Sequence, residues 1–345
     1  MIAAKSQSIF NEIKSVDFVD LVDAEKLTSD IWCSDKPIII KGLVKDWPVV
    51  KAGKKSNLAL HEYLKKFDRG QVVGAGILEP EQQGRLFYND DFTGFNFQRC
   101  NVSFSEFLTQ MQRNRQTKLP RGMYVGSTQV DSLLPGFRDE NNLIALDDFD
   151  PLMSIWISNQ TRIAAHHDVP NNIACCISGK RRFTLFPPEQ VQNLYIGPLD
   201  FTPAGQAISL VDFYNPDFTA YPRFEQALSH ALVAELEPGD ALFLPSMWWH
   251  HVEGLEDFNI LINYWWQTNA PAMGAPIDAL YHALLNIKHL PETQKKAWKA
   301  MFEHYIFNSD EQALKHIPDD KLGVLNDNDA AMRTIRSMLL HKLNR

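Results

Sequence analysis

The chain has 345 residues, 45% of them apolar and 22% charged, which fits one large soluble domain or a domain with an appendage and excludes fibrous and disordered classes. The formal charge is −8, no run of Lys and Arg forms a nucleic-acid stripe, and the nearest, Lys180 to Arg182, is expected to lie inside the barrel, so nucleic acid is not an expected partner. The four cysteines, Cys33, Cys100, Cys175 and Cys176, lack zinc spacing and read as reduced thiols; with a polar N-terminus and no apolar run of membrane length, a cytoplasmic location is expected.

Residues 1 to about 35 read as polar helix. Pro37 and the β-branched run Ile38 to Ile40 then predict a strand closed by Gly42. Leu58, Leu60, Leu64 and Phe67 have helical spacing, GQVVGAGIL returns to strand character, and Arg85 to Tyr88 is another short strand. Ser103 with Glu106 has capping-box spacing before FLTQM and marks a helix start. Arg121 to Thr128 reads as a strand carrying Tyr124. From MSIWISN to about Thr268, short strands broken by Pro and Gly predict an antiparallel sandwich or barrel. A long insertion within it, Gly197 to Ser229, is rich in Pro and aromatics and is expected to pack over a rim.

After Asn269 the pattern becomes helical. Pro276 opens a helix with Ile277, Leu280, Leu284 and Ile287 on one face, a second carries Trp298, Met301, Phe302 and Tyr305, and a third carries Met332, Ile335, Met338 and Leu339. Such faces need a partner: the outside of the barrel, or a second copy in a swapped-helix dimer.

The chemistry gathers in Thr161 to Pro188, two strands joined by a turn. Alternate residues of a strand share a face, so His166 and Asp168 point together and His167 points away. One imidazole beside one carboxylate is half of a facial triad of two His and one carboxylate, the donor set of non-heme ferrous oxygenases. The third ligand is expected in LPSMWWHH after the Pro-Gly-Asp turn at Pro238 to Asp240; His250 is preferred, and its neighbour His251, on the opposite face, remains the alternative. A lone His-x-Asp is weak among 11 His and 42 acidic residues, and its plain alternative is a buried His bonded to a carboxylate.

The matching context is larger than that motif. Ala165, His166 and Asp168, the Leu-Phe-Pro-Pro of Leu185 to Pro188, WWHH at Trp248 to His251, VDFYNPDFTAYPRF from Val211 to Phe224, and Asn263 with Trp265 in INYWW together resemble the cupin-like branch of the JmjC oxygenases. This family uses iron(II) and 2-oxoglutarate and includes the asparaginyl hydroxylase that inhibits hypoxia-inducible factor. The likeness is strong over about residues 35 to 270 and looser in the C-terminal helices. It implies a mainly β fold with flanking α: a double-stranded β-helix (jelly-roll) core at 121–270, an N-terminal α/β elaboration at 1–120, and C-terminal helices at 271–345 as a possible homodimer element.

The resemblance also implies roles. His166, Asp168 and His250 become iron ligands and the catalytic set. Asn172 and Asn263 match positions near the 1-carboxylate of 2-oxoglutarate, and Tyr124 the tyrosine near its distal carboxylate. Arg181 stands where the family normally has a lysine for that carboxylate; a guanidinium fork pairs with a carboxylate at two points, though from a longer arm. Ile163 replaces an expected threonine and removes a hydroxyl donor. Trp248, Trp249, Trp265 and Trp266 either line the pocket or pack the core.

The expected activity is therefore that of a 2-oxoglutarate-dependent dioxygenase, an enzyme consuming dioxygen and hydroxylating a protein or peptide side chain with release of succinate and CO2. The alternative is a metal-binding cupin of other chemistry or a non-catalytic binding module, favoured by Ile163 and Arg181. Hydroxylation of a tRNA base, as in some relatives, is disfavoured by the acidic balance.

Overall fold

The computed structural model describes residues 13–20, 29–203, 205–267, 273–308 and 314–344. The chain divides into two compact units, Met1–Gln267 and Thr268–Arg345.

Among the described residues fifteen strands build the first unit: Lys14–Ser15 (β1), Phe18–Asp20 (β2), Ile38–Lys41 (β3), Val72–Leu78 (β4), Arg85–Leu86 (β5), Gln98–Ser103 (β6), Gly122–Gln129 (β7), Leu152–Ser158 (β8), Arg162–His166 (β9), Asn171–Ser178 (β10), Arg181–Phe186 (β11), Leu232–Leu236 (β12), Ala241–Leu244 (β13), Trp249–Gly254 (β14) and Asn259–Trp266 (β15). They form a six-stranded sheet in the order β1-β12-β11-β14-β9-β5 and a nine-stranded sheet in the order β2-β3-β13-β10-β15-β8-β7-β4-β6. This is the expected cupin-type core of two sheets.

Alternation assigns each face of the nine-stranded sheet a different job. On β15, Ile260, Ile262, Tyr264 and Trp266 join one core cluster with Ile155, Ile157 and Ile173 and with helix residues Leu60, Leu64, Phe104 and Phe107. Leu261, on the other face, belongs to the core shared with Phe183, Leu185 and Val252 of the six-stranded sheet. Strands buried on both faces read as nearly continuous apolar runs, and that is why their face assignment is hard to see in sequence. Cys175 and Cys176 show the same split: both are fully buried, one in each core.

The helices Pro48–Lys55, Asn57–Lys65 and Phe104–Asn114 contribute to the first of these cores. The Ser103 hydroxyl accepts from the Glu106 N–H at 3.4 Å, so the expected cap is in place. Residues 14–20 correct the expected N-terminal helix: they form β1 and β2, which add in parallel to β12 and β3. Ser29–Trp32 is helical as expected, and the stretches 1–12 and 21–28 of that predicted helix lie outside the described residues. Tertiary pairing overrides weak local helix preference here.

From Val211 onward the insertion covers a face of the barrel rather than the expected rim. Val211, Phe213, Phe224 and Ala227 pack with Phe186 and Trp249 against the outside of the six-stranded sheet. Beneath it lies Glu253, fully buried, which accepts from the Tyr214 hydroxyl at 2.5 Å; Arg162 pairs with Asp212 at 3.0 Å and stacks on the Tyr214 ring.

The turn between β10 and β11 depends on Gly179, whose φ is +72°. A Cβ there would collide with the Asn259 side-chain oxygen and the Phe258 carbonyl. Gly179→Ala is therefore expected to lower stability by about 2 to 4 kcal/mol. Denaturant titration checks this, and an unchanged midpoint would show that the turn tolerates a side chain.

The second unit contains helices Pro276–Asn286, Glu292–Phe302 and Asp329–Leu343. Along them Ile277, Leu280, Trp298, Met301, Ile335, Met338 and Leu339 are exposed. No helix among the described residues is long and apolar enough to cross a membrane.

Candidate metal centre

Strand pairing creates the centre. β9 and β14 run antiparallel with His166 opposite His250, and the register shifts between His250 and Val252. Their rings come within 4.2 Å, centroid to centroid. Asp168 corrects one detail of the sequence reading: β9 ends at His166, so the carboxylate is placed by the following turn and not by strand alternation. That turn is strapped down, since the Met247 N–H donates to the Asp168 carbonyl at 2.9 Å and the Ser246 N–H to Asn171 Oδ1 at 3.0 Å. Asp168 Oδ2 stands 3.6 Å from His250 Nε2. One ligand atom from each of His166, Asp168 and His250 lies within 4.8 Å of the others.

Both imidazoles are poised as ligands by their own backbone. His166 Nδ1 lies 2.9 Å from the Ala164 carbonyl and His250 Nδ1 lies 3.0 Å from the Trp248 carbonyl. A carbonyl only accepts, so each Nδ1 carries the proton and each Nε2 keeps its lone pair free. Burial holds the His250 imidazole below its usual pKa, and His166 beside it pushes the same way. The neutral form is the one that binds a metal. Two nitrogens and one carboxylate oxygen suit a ferrous ion, and the geometry fits that group.

His251 faces the other side. It is buried and stacks on Phe213 at 4.5 Å, with burial and nearby arginines holding its pKa well below the ordinary value. His167 packs edge-on to Trp249 at 4.7 Å.

A cavity leads inward from the triad, lined by Tyr124, Trp156, Ile163, Asn172, Arg181 and Phe183 among others. The run Lys180 to Arg182 does not lie inside the barrel as a unit. Lys180 is exposed and pairs with Glu237, and Arg182 pairs with Glu235. Arg181 alone points in. It is 2% exposed, makes no ion pair among the described residues, and its Nε and one Nη have no hydrogen-bond partner. Burial lowers its pKa, with Tyr124 and Cys176 acting against that, while burial raises the Tyr124 phenol. An unpaired buried cation is costly unless an anion meets it, so the cavity has a seat for a negative group away from the triad.

The other expected site residues lie between these ends. Asn172 Nδ2 is 3.4 Å from Asp168 Oδ2, and Asn263 Nδ2 is 3.3 Å from Asn172 Oδ1. Of the four tryptophans singled out in the sequence, only Trp265 lines the cavity, donating to Asp168 Oδ2 at 3.2 Å. The Trp248 and Trp249 indoles donate to the Asp35 and Pro188 carbonyls, and Trp266 packs on Trp32 and Phe243. Sequence reasoning missed Trp156; its signal was the alternation in MSIWIS, which puts Ser154, Trp156 and Ser158 on one face and Met153, Ile155 and Ile157 on the other.

The family described as a cupin-like domain matches residues 24–271. Similar curated proteins include HSPB1-associated protein 1 of Bos taurus, 34% identical over 256 residues that cover 70% of this chain and 50% of that protein. Lysine-specific demethylase JMJ31 of Arabidopsis thaliana is 30% identical over 140 residues, covering 40% and 24%. tRNA wybutosine-synthesizing protein 5 of Gallus gallus is 31% identical over 142 residues, covering 37% and 42%. The matches thus span half or less of the length of these relatives.

Proposed function

The chain belongs to the cupin-like, JmjC-type family, and from that premise we propose that it is an iron(II)- and 2-oxoglutarate-dependent dioxygenase that hydroxylates a protein or peptide side chain, releasing succinate and CO2. The observation that carries this reading is Arg181: a buried guanidinium with free donors, in the same cavity as a three-ligand cluster. A dicarboxylic keto acid has one end for each.

In this reading His166, Asp168 and His250 hold the ferrous ion and leave the rest of its coordination sphere to co-substrates. Bound iron supplies the oxidative chemistry, the decarboxylation of the keto acid by dioxygen and the attack on a C–H bond. The chain's own groups do the rest. Arg181 takes the distal carboxylate, with the Tyr124 hydroxyl, held protonated by burial, available as a further donor. Ile163, Phe183 and Val252 keep water from the middle of the cavity. Asn172 and Asn263 flank the metal end. Residues 121–270 are assigned to the barrel that holds the site, 1–120 to its elaboration and 271–345 to the helical unit, in a protein working in the cytoplasm.

Succinate formation from 2-oxoglutarate with added iron(II) tests the activity; its absence in metal-loaded protein, with any peptide pool, would refute it. A second reading, a metal-binding cupin or binding module without turnover, is favoured by one observation: the amides of Asn172 and Asn263 already bond to each other and to Asp168. Hydroxylation of a tRNA base has a net charge of −8 against it.

The exposed apolar side chains of the helical unit support a homodimer through those helices. Wild type is expected to elute with light-scattering mass twice that of the chain, and Met338→Glu with Leu339→Glu at the monomer mass. A monomeric wild type would refute the dimer.

A further inference from the structure

We propose that Trp156 is a positioning residue that sets the direction of a hydrogen-bond relay ending on the Asp168 carboxylate; the inference rests on the metal-site reading above.

The relay follows from donor chemistry. The Trp156 indole N–H donates to Asn263 Oδ1 at 2.7 Å. An indole nitrogen only donates, so the Asn263 amide must present its oxygen to Trp156 and turn its NH2 away. That NH2 meets Asn172 Oδ1 at 3.3 Å, which in turn directs the Asn172 NH2 to Asp168 Oδ2 at 3.4 Å. One donor-only group at the start thereby fixes the sense of both amides, which could otherwise flip. A second indole, Trp265, closes on the same Oδ2 at 3.2 Å and packs edge-on to Trp156 at 5.7 Å. Two donors converging on one oxygen fix the plane of a carboxylate that sits beyond the end of its strand.

Sheet register places all the members. Asn172 lies opposite Trp265 on β10 and β15, Ala174 lies opposite Asn263, and Trp156 lies opposite Leu261. Trp156 and Asn263 are therefore diagonal neighbours, as are Asn263 and Asn172, within reach of long side chains. The face that points into the cavity supplies the whole chain of donors.

The test uses Co(II) alone as probe, on the full chain, with thermal melting as a control. Asn263→Asp keeps an acceptor for Trp156 but has no NH2 for Asn172, and Trp156→Phe removes the driving donor while keeping an aromatic ring. Each is expected to weaken Co(II) binding by about tenfold, the lower end of what outer-shell changes to a metal ligand produce, and to alter the d–d absorption of the bound ion. If Trp156→Phe unfolds, the near-isosteric Asn263→Asp decides. Wild-type affinity and spectrum in folded Asn263→Asp and Trp156→Phe would overturn the relay while leaving the metal centre standing. A wild type that binds Co(II) no better than His166→Ala would overturn the metal centre and the relay with it.

Discussion

His166→Ala is expected to abolish metal binding and every turnover that depends on it, while leaving the fold intact. His166 is the last residue of its strand and only partly buried, so truncation removes little packing. The loss at the metal is large for a specific reason. His250 Nε2 and the Asp168 carboxylate alone supply two donors, and three are needed to hold an ion while leaving room for co-substrates. The drop in affinity should exceed the roughly 10- to 100-fold seen when a group behind a ligand is changed. Calorimetric titration with iron(II) or manganese(II) under anaerobic conditions measures it. Retention of full succinate production by the variant would remove His166 from the ligand set.

Arg181→Ala should separate co-substrate from metal. Two charge-assisted hydrogen bonds at roughly 1.5 to 3 kcal/mol each would be lost, so the 2-oxoglutarate requirement should rise by about 100-fold or more. Metal affinity should change little, because Arg181 is not part of the ligand cluster and, among the described residues, makes no hydrogen bond or ion pair to it. The same physics makes an unusual statement about stability. Removing an unpaired buried charge relieves a desolvation cost, so Arg181→Met in ligand-free protein is expected to be neutral or stabilising, against the destabilisation usual for a core substitution. Equal effects of Arg181→Ala on metal and 2-oxoglutarate would mean that the guanidinium holds the fold and not the co-substrate.

Much of the architecture could be read in the sequence because strand signals in this chain are strong. The β-branched run at Ile38 to Ile40 and the Pro-Gly-Asp turn before β13 and β14 need no tertiary information, and the Ser103 cap is a local contact. The segment 14–20 was misread as helix because its strands exist only through pairing with β12 and β3, far away in the chain. The insertion carried no periodicity to say which surface it covers; that is decided by Phe213 and Phe224 meeting Phe186 across the sheet.

At the site, motif and spacing pointed to His166 and Asp168 and left His250 beside His251, between which the family resemblance chose; the structure brings His166, Asp168 and His250 together. What placed Asp168 was not strand alternation but backbone bonds from the Ser246–Met247 turn, which no local pattern encodes. Arg181 was visible as a cation on the strand next to the ligands, yet its lack of a carboxylate partner among the described residues could only emerge in three dimensions. Trp156 was overlooked for the opposite reason: an aromatic in an apolar strand looks like core, and only its indole bond to Asn263 distinguishes it.

The most direct measurement is an anaerobic titration of the iron(II)-loaded protein with 2-oxoglutarate, following the visible metal-to-ligand charge-transfer band. The proposed site predicts a band that saturates in wild type, is absent in His166→Ala, and requires far more 2-oxoglutarate in Arg181→Ala. Wild-type protein that holds iron(II) but shows no band at saturating 2-oxoglutarate would contradict the dioxygenase reading and leave a metal-binding cupin in its place.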